Sequence, residues 1–314
     1  MATVPSSVER PEEGIFSDRQ AALKEAPFMV LPNTSAAVPI LPCRDLGRTG
    51  EQVTLFGLGG EGVLRTHGQT RAAVEVIEHA LDQGVNYCDT APAYAASMDY
   101  YGAALGERRR DIFLACKTHE RARDASLRLL DDSLRRLRTD HLDLWQLHDL
   151  RTLDDLDRIF RTGGALEALV RARADGRVRY LGVTGHHDPA ILLEAMNRFP
   201  FDTVLVALNA ADVHRLSFFH TVVADAARRG MGVIGMKTCA QGRLLDALTM
   251  EEAMGYVLSL PGVTNVIVGC QTPAEVAANA RIARQFVPLE EGRMRELEKR
   301  ARGRAEAYGY FKKK

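Results

Sequence analysis

The 314-residue sequence contains no CxxC pair. Its five cysteines (Cys43, Cys88, Cys116, Cys239, Cys270) are odd in number and scattered. That pattern argues against a disulfide framework, a zinc site or an iron–sulfur cluster, and for reduced thiols. Charge of one sign is also missing. Lys plus Arg and Asp plus Glu both total 41, so no bulk field draws the chain to nucleic acid or a membrane surface. No apolar run approaches membrane-spanning length. Glu9, Glu12 and Glu13 stand where a secretory leader would be basic and then apolar. Together these absences lead us to expect a cytoplasmic protein with no nucleic-acid or membrane partner.

What is present is an alternation. Residues 1–42, broken by Pro27, Pro32, Pro39 and Pro42, are expected to form an extended N-terminal arm, either wrapped on the surface or contacting another subunit. Beyond it, short β-branched or apolar runs recur at 54–58, 85–89, 112–116, 142–147, 178–183, 203–206, 231–236 and 264–268. Between them lie helical faces. Ala73, Val76, Ile77, Ala80 and Leu81 repeat at helical spacing, as do Leu127, Leu130, Leu134 and Leu137, and then Val276, Ala280 and Ala283.

Strands alternating with helices imply a parallel sheet, and eight of them suit a closed (β/α)8 TIM barrel over residues 43–286, followed by a C-terminal helix and tail over 287–314. An open doubly wound sheet would want a Gly-x-Gly-x-x-Gly turn opening a helix after the first strand. The glycines of Gly57-Leu58-Gly59-Gly60-Glu61-Gly62 lack that spacing.

In a parallel barrel the chemistry lies where the strands end. The second run ends at Asp89, the third at Lys117 and the fourth at His148, and Tyr94 follows on the loop after Asp89. Each has an ordinary reading alone: a helix cap, a solvated lysine, a hydrogen-bonded histidine, a packed ring. Four on consecutive strands share one mouth. A phenol, with a pKa of about 10, is a poor acid at neutral pH. An ammonium about 4 Å away favours the phenolate by roughly 4 kcal/mol at an effective dielectric near 20, a ceiling of about three pK units. The sequence thus predicts a Tyr94 proton donor lowered by Lys117, with Asp89 orienting the lysine and His148 the substrate oxygen. That arrangement suits carbonyl reduction, and since no side chain delivers hydride, a nicotinamide cofactor is expected.

From Leu46 to about Arg284 the chain resembles the aldo-keto reductase family. The resemblance rests on DLGRTGEQVTLFGLGG, GVNYCDTAPAY, LDDSLRRLRTDHLDLWQLHD, GRVRYLGVTG and VIVGCQTPAEVAANA; GVTGHHDP resembles a bacterial branch. It implies a barrel that reduces an aldehyde or ketone with NADP(H), NAD(H) not being excluded, and a catalytic tetrad at Tyr94, Asp89, Lys117 and His148. It further implies cofactor contacts at Gly59, Thr184, Gly185, Asn209, Lys237, Gly242, Gly269, Gln271, Glu275 and Asn279. The chain departs from the family pattern in several places. Thr184-Gly185 stand where Ser-Asn is common, Leu208 where a tyrosine is frequent, Gln271 where a basic residue is common, and Glu275 where Arg or Gln is common. An acid at 275 would repel a 2′-phosphate and accept a hydrogen bond from a plain ribose hydroxyl.

His186, His187 and Asp188 read as mouth-lining or capping residues, not a metal site. Trp145 reads as part of the barrel wall. The terminal AEAYGYFKKK reads either as a cover for the mouth or as an edge-packed tail with a solvated lysine tip. Two other functions fit the same barrel: a Schiff-base lyase using Lys237, and a cofactor-binding regulatory subunit.

Overall fold

A computed structural model describes residues 40–313. Most of the expected arm lies outside them; at its end Leu41 is buried and the Pro42 carbonyl accepts from Leu55 N–H at 2.9 Å. A hairpin of Cys43–Asp45 (β1) and Gln52–Thr54 (β2) comes first. Eight parallel strands then close into a barrel: Phe56–Gly62 (β3), Tyr87–Asp89 (β4), Phe113–Thr118 (β5), Leu142–Leu147 (β6), Val178–Gly185 (β7), Thr203–Ala207 (β8), Gly232–Met236 (β9) and Asn265–Cys270 (β10). β10 pairs with β3 to complete the circle. The eight strands fall on the eight expected runs. The first continues to Gly62 instead of stopping at residue 58, because its glycines let large neighbours approach the backbone. A Cβ on Gly57 would lie 2.9 Å from the Tyr87 ring, and one on Gly60 would lie 2.6 Å from the Tyr94 ring.

Strand alternation sorts the side chains into two layers. Tyr87, Phe113, Ala115, Leu144, Leu205 and Ile234 form a cluster separate from the larger one that contains Cys88, Leu114, Cys116 and Trp145. The first set faces the barrel interior and the second packs under the helices. Helix Thr70–Asp82 buries Ala73, Val76, Ile77 and Ala80, and helix Pro273–Arg284 buries Val276, Ala280 and Ala283. Trp145 is fully buried in the outer layer between Cys116 and Leu181 of the adjacent strands.

The hairpin was not legible in the sequence. Its residues Leu46 and Val53 are fully buried and join the interior cluster with Tyr87 and Phe113, the residues that open β4 and β5. The hairpin therefore plugs the N-terminal end of the barrel. Burying one such leucine is worth about 1.5–3 kcal/mol. Gly47, at φ +56°, lets the hairpin loop sit against the start of β9, where a Cβ would lie 2.3 Å from Gly232 N.

Helices Glu291–Arg302 and Ala305–Tyr308 follow the barrel, and the tail beyond them crosses the opposite, C-terminal end. The expectation of a solvated lysine tip is corrected there. Lys312 is buried, with its ammonium on Asp212 Oδ1 at 2.6 Å and on the carbonyls of Arg215 (2.6 Å) and Leu216 (3.0 Å).

Candidate active site

Tyr87 and Phe113 face inward at the closed end, so period-two alternation carries Asp89 and Lys117 to the same interior at the open end. There the Lys117 ammonium pairs with Asp89 and donates to the Thr90 carbonyl at 2.9 Å, and both side chains are buried. Gln146, inward on β6, donates to the other Asp89 oxygen at 3.4 Å. Tyr94 stands on a turn closed by its N–H to the Ala91 carbonyl at 3.0 Å, and Gly60 leaves room beneath its ring. The Lys117 ammonium is 4.9 Å from the Tyr94 ring centroid, and the His148 ring meets Tyr94 edge-on at 5.7 Å. His148 follows β6 directly, anchored through its N–H to the Thr118 carbonyl at 2.8 Å. Tyr94, Lys117 and His148 thus line a cleft of about 230 Å³ with Asp89 paired to Lys117 behind its wall, and Glu61, Arg65, Asp149, Arg151, Thr184, His186 and Lys237 line it too.

Burial pushes the Asp89 carboxyl up and the neighbouring ammonium pulls it back. Burial works against the Lys117 charge, but Asp89 and Tyr94 outweigh it and hold the ammonium above the usual lysine range. The pair stays ionised, because neutralising Asp89 would leave a buried cation unmatched. His148 is pushed down to about 3, first by burial and then by Lys117, so its imidazole is neutral. For Tyr94 the expectation of a lowered phenol is corrected. Burial raises it more than Lys117 lowers it, and its net direction is upward. The phenol therefore enters any reaction protonated, and Lys117 limits how strongly it holds its proton.

Of the residues expected to meet a nicotinamide dinucleotide, Thr184 and Lys237 line the cleft, and the others lie in β3, β7 or β10 or in the segments that follow β8, β9 and β10. Gly59 on β3 faces Gly269 on β10, where an added Cβ would meet Gly269 N at 3.4 Å. Thr184 Oγ1 accepts from Asp149 N–H at 2.9 Å, which leaves its hydroxyl hydrogen to donate. Gly185 has Leu192 and the Leu150 carbonyl where a side chain would go. Asn209 is turned inward, bonding the Lys237 carbonyl (3.2 Å) and Ala211 N–H (3.0 Å). Asn279 is likewise buried, donating to Cys270 Sγ at 3.4 Å. Gly242, at φ +84°, is exposed with open space around it. Gln271 and Glu275 are exposed at the start of helix Pro273–Arg284, and Glu275 Oε2 accepts from Gln271 N–H at 2.7 Å. Lys237 faces the mouth, where its ammonium has no hydrogen-bond or ion-pair partner among the described residues and lies 5.4 Å from the Phe311 ring centroid. Burial holds it below the usual lysine range. A cation without an anion, an unpartnered Thr238 hydroxyl and an open glycine turn suit a polyanionic ligand on this side.

Arg65, Gln146 and Arg151 escaped the sequence reading, whereas His186 lines the mouth and Asp188 caps a helix as expected. Arg65, held by Glu61 at 2.6 Å, lies 5.2 Å from the Tyr94 ring centroid. Its signal is the i,i+4 acid–base pair just past β3. Gln146 shares inward parity with His148 on the fourth barrel strand. His186 Nε2 approaches Asp149 Oδ1 at 3.2 Å, and Asp149 also takes Arg151 at 2.7 Å. Asp188 caps helix Pro189–Arg198 through Ala190 N–H, as its position before a proline suggests.

Comparison with known proteins agrees with this fold. A family model described as the aldo/keto reductase family matches residues 56–256. An oxidoreductase of Bacillus subtilis is 25% identical over 290 residues, 76% of this chain and 90% of the relative. The 6-dehydroglucose reductase of Novosphingobium aromaticivorans is 27% identical over 285 residues, 77% of this chain and 91% of the relative. Among solved structures, the holo form of an aldo-keto reductase from Bacillus halodurans superposes with a TM-score of 0.68 at 26% identity, covering 82% of this chain and 95% of that one.

Proposed function

The chain belongs to the aldo/keto reductase family, and from that premise we propose that it is a cytoplasmic, nicotinamide-dependent reductase of an aldehyde or ketone with Tyr94 as proton donor. The observation that carries this reading is the convergence of Tyr94, Lys117 and His148 on one cleft, with Asp89 paired to Lys117 behind it. A bound NADP(H) or NAD(H) supplies the hydride. Thr184, Lys237 and the turn at Gly242 are the residues we assign to holding it.

In the forward direction the neutral His148 and the Tyr94 hydroxyl orient the carbonyl oxygen. As negative charge grows on that oxygen, Tyr94 gives up its proton, and the phenolate left behind is stabilised by the Lys117 ammonium. Asp89, Thr90 and Gln146 keep that ammonium charged and aimed. The substrate is a small carbonyl compound. One relative's name, 6-dehydroglucose reductase, makes sugars a class to include in a screen. The oxidoreductases named among the relatives give no support to a Schiff-base lyase at Lys237 or to a regulatory subunit. Among the described residues no helix is long and apolar enough to cross a membrane.

The test is cofactor oxidation over a panel of aldehydes, ketones and sugars, with Tyr94→Phe beside the wild type. Loss of acid catalysis is expected to lower the rate by about 10²–10⁴-fold while cofactor binding survives. A Tyr94→Phe rate within a few-fold of wild type would remove Tyr94 from the role.

A further inference from the structure

The C-terminal tail is a strap over the side of the mouth assigned to the cofactor. Tyr308 bonds Asp246, and Tyr310 bonds Gln241 and lies against Arg243, 3.9 Å from ring centroid to guanidinium. Phe311 meets His186 edge-on at 5.6 Å and Lys237 at 5.4 Å. Lys312 is socketed on Asp212, and Lys313 bonds Asp188 and the His187 carbonyl. Five residues thereby pin the loops after β7, β8 and β9, which begin at Gly185 and carry Asn209, Lys237 and Gly242.

Two features separate this strap from ordinary edge packing. The first is the depth of its anchor. Lys312 and Asp212 are each 3% exposed in their side chains, and Asp212 also accepts from Ser217 Oγ (2.8 Å) and the N–H groups of Phe218 (3.1 Å) and Phe219 (3.0 Å). Breaking such a buried pair leaves an uncompensated charge, so Lys312 is held firmly on Asp212. The second is what the closed strap leaves unmet. Among the described residues His186 Nδ1 and Thr238 Oγ1 are buried without a hydrogen-bond partner, and Lys237 has a phenyl ring beside it and no anion within ion-pair distance. Buried polar groups are as a rule satisfied. These three line the cleft or its neighbouring turn, where a ligand bearing phosphate and hydroxyl groups would satisfy them.

We propose that Lys312 and Phe311 are positioning residues for the dinucleotide. Phe311 holds Lys237 and His186 in their binding places, and withdrawal of Lys312 from Asp212 sets how fast the dinucleotide leaves. The inference rests on the cofactor reading above.

The test measures release of reduced cofactor by stopped-flow fluorescence for the full-length wild type, Lys312→Met, Phe311→Leu and Phe311→Tyr. Lys312→Met and Phe311→Leu are expected to release cofactor at least 10-fold faster and to raise its KM. At saturating cofactor, the kcat of each is expected to change far less. Phe311→Tyr, which keeps the ring, is expected to stay within twofold of wild type. A strap that only stabilises the fold would lower the melting temperature of both variants and leave release within twofold, which overturns the inference. Phe311→Leu lies at a partly exposed site and decides the matter even if Lys312→Met fails to fold. A wild type that binds neither NADPH nor NADH would sink the cofactor reading itself, an outcome distinct from unchanged release.

Discussion

The guanidinium of Arg65 lies 5.2 Å from the ring centroid of Tyr94, which also has the Lys117 ammonium at 4.9 Å. Two cations therefore share one phenol, and each favours its deprotonated form. A nearby cation attracts the phenolate more strongly than the neutral phenol, so it eases loss of the proton. A general acid works only while protonated, so reduction is lost as pH rises through its pKa. Arg65→Met removes one cation and is expected to shift that alkaline limb upward in a kcat/KM profile. An unmoved limb would show that Arg65 does not act on Tyr94.

Gly60 gives a steric test of the same ring. A Cβ there would lie 2.6 Å from Tyr94 Cδ2 and 3.0 Å from the Asp89 carbonyl. Gly60→Ala is expected to displace the ring, lowering kcat by about 10²-fold, since misplacement near 1 Å has effects of that order. The melting temperature should fall much less than for a substitution in the barrel core. Wild-type kcat in this variant would mean that the ring tolerates the shift.

At the start of helix Pro273–Arg284, Glu275 already places a carboxylate on the Gln271 N–H, and negative charge is favoured at a helix start. A 2′-phosphate would have to share that ground with it. We expect NADPH to bind with an unusually small preference over NADH, and Glu275→Arg to strengthen NADPH binding by about 1.5–3 kcal/mol, the range for a charged hydrogen bond. Arg284 is turned away, bonded to Gln83. Strong wild-type NADPH selectivity with no gain from Glu275→Arg would place the phosphate elsewhere.

His148 makes stability depend on pH. Its folded pKa, about 3, lies below the unfolded value near 6.5, so the unfolded chain binds more protons at mildly acidic pH. The stabilisation is fully present above pH 6.5 and declines as pH falls toward 3. Between pH 6.5 and 5 this one group removes about 2 kcal/mol. Thermal melts of the wild type and His148→Gln should converge over that interval. Parallel curves would assign the acid sensitivity to other groups.

The barrel was legible because β-branched runs and helical faces alternate without a break, and strand parity then fixed where Asp89 and Lys117 point. Tyr94 was legible as the ring that follows a strand-end acid. The rest depends on contacts distant in sequence. Leu46 and Val53 look like ordinary apolar residues until the barrel interior exists for them to plug. Phe311 and Lys312 reach loops about 70–125 positions back. The net direction of the Tyr94 shift needed its burial, which pairwise charge reasoning omits. Asn209 and Asn279 were expected at the ligand, and only the folded chain shows their amides turned to the Lys237 carbonyl and the Cys270 thiol.

Trp145 is the one tryptophan in the chain, and its indole sits fully buried in the wall strand that leads to His148. All indole emission therefore originates at a single point, in apolar surroundings where such light is blue-shifted. Its colour reports whether the wall around that strand is intact, with no second indole to blur the reading. A melt followed at that wavelength records barrel opening itself, and the protein carries its own optical gauge without a dye or a label.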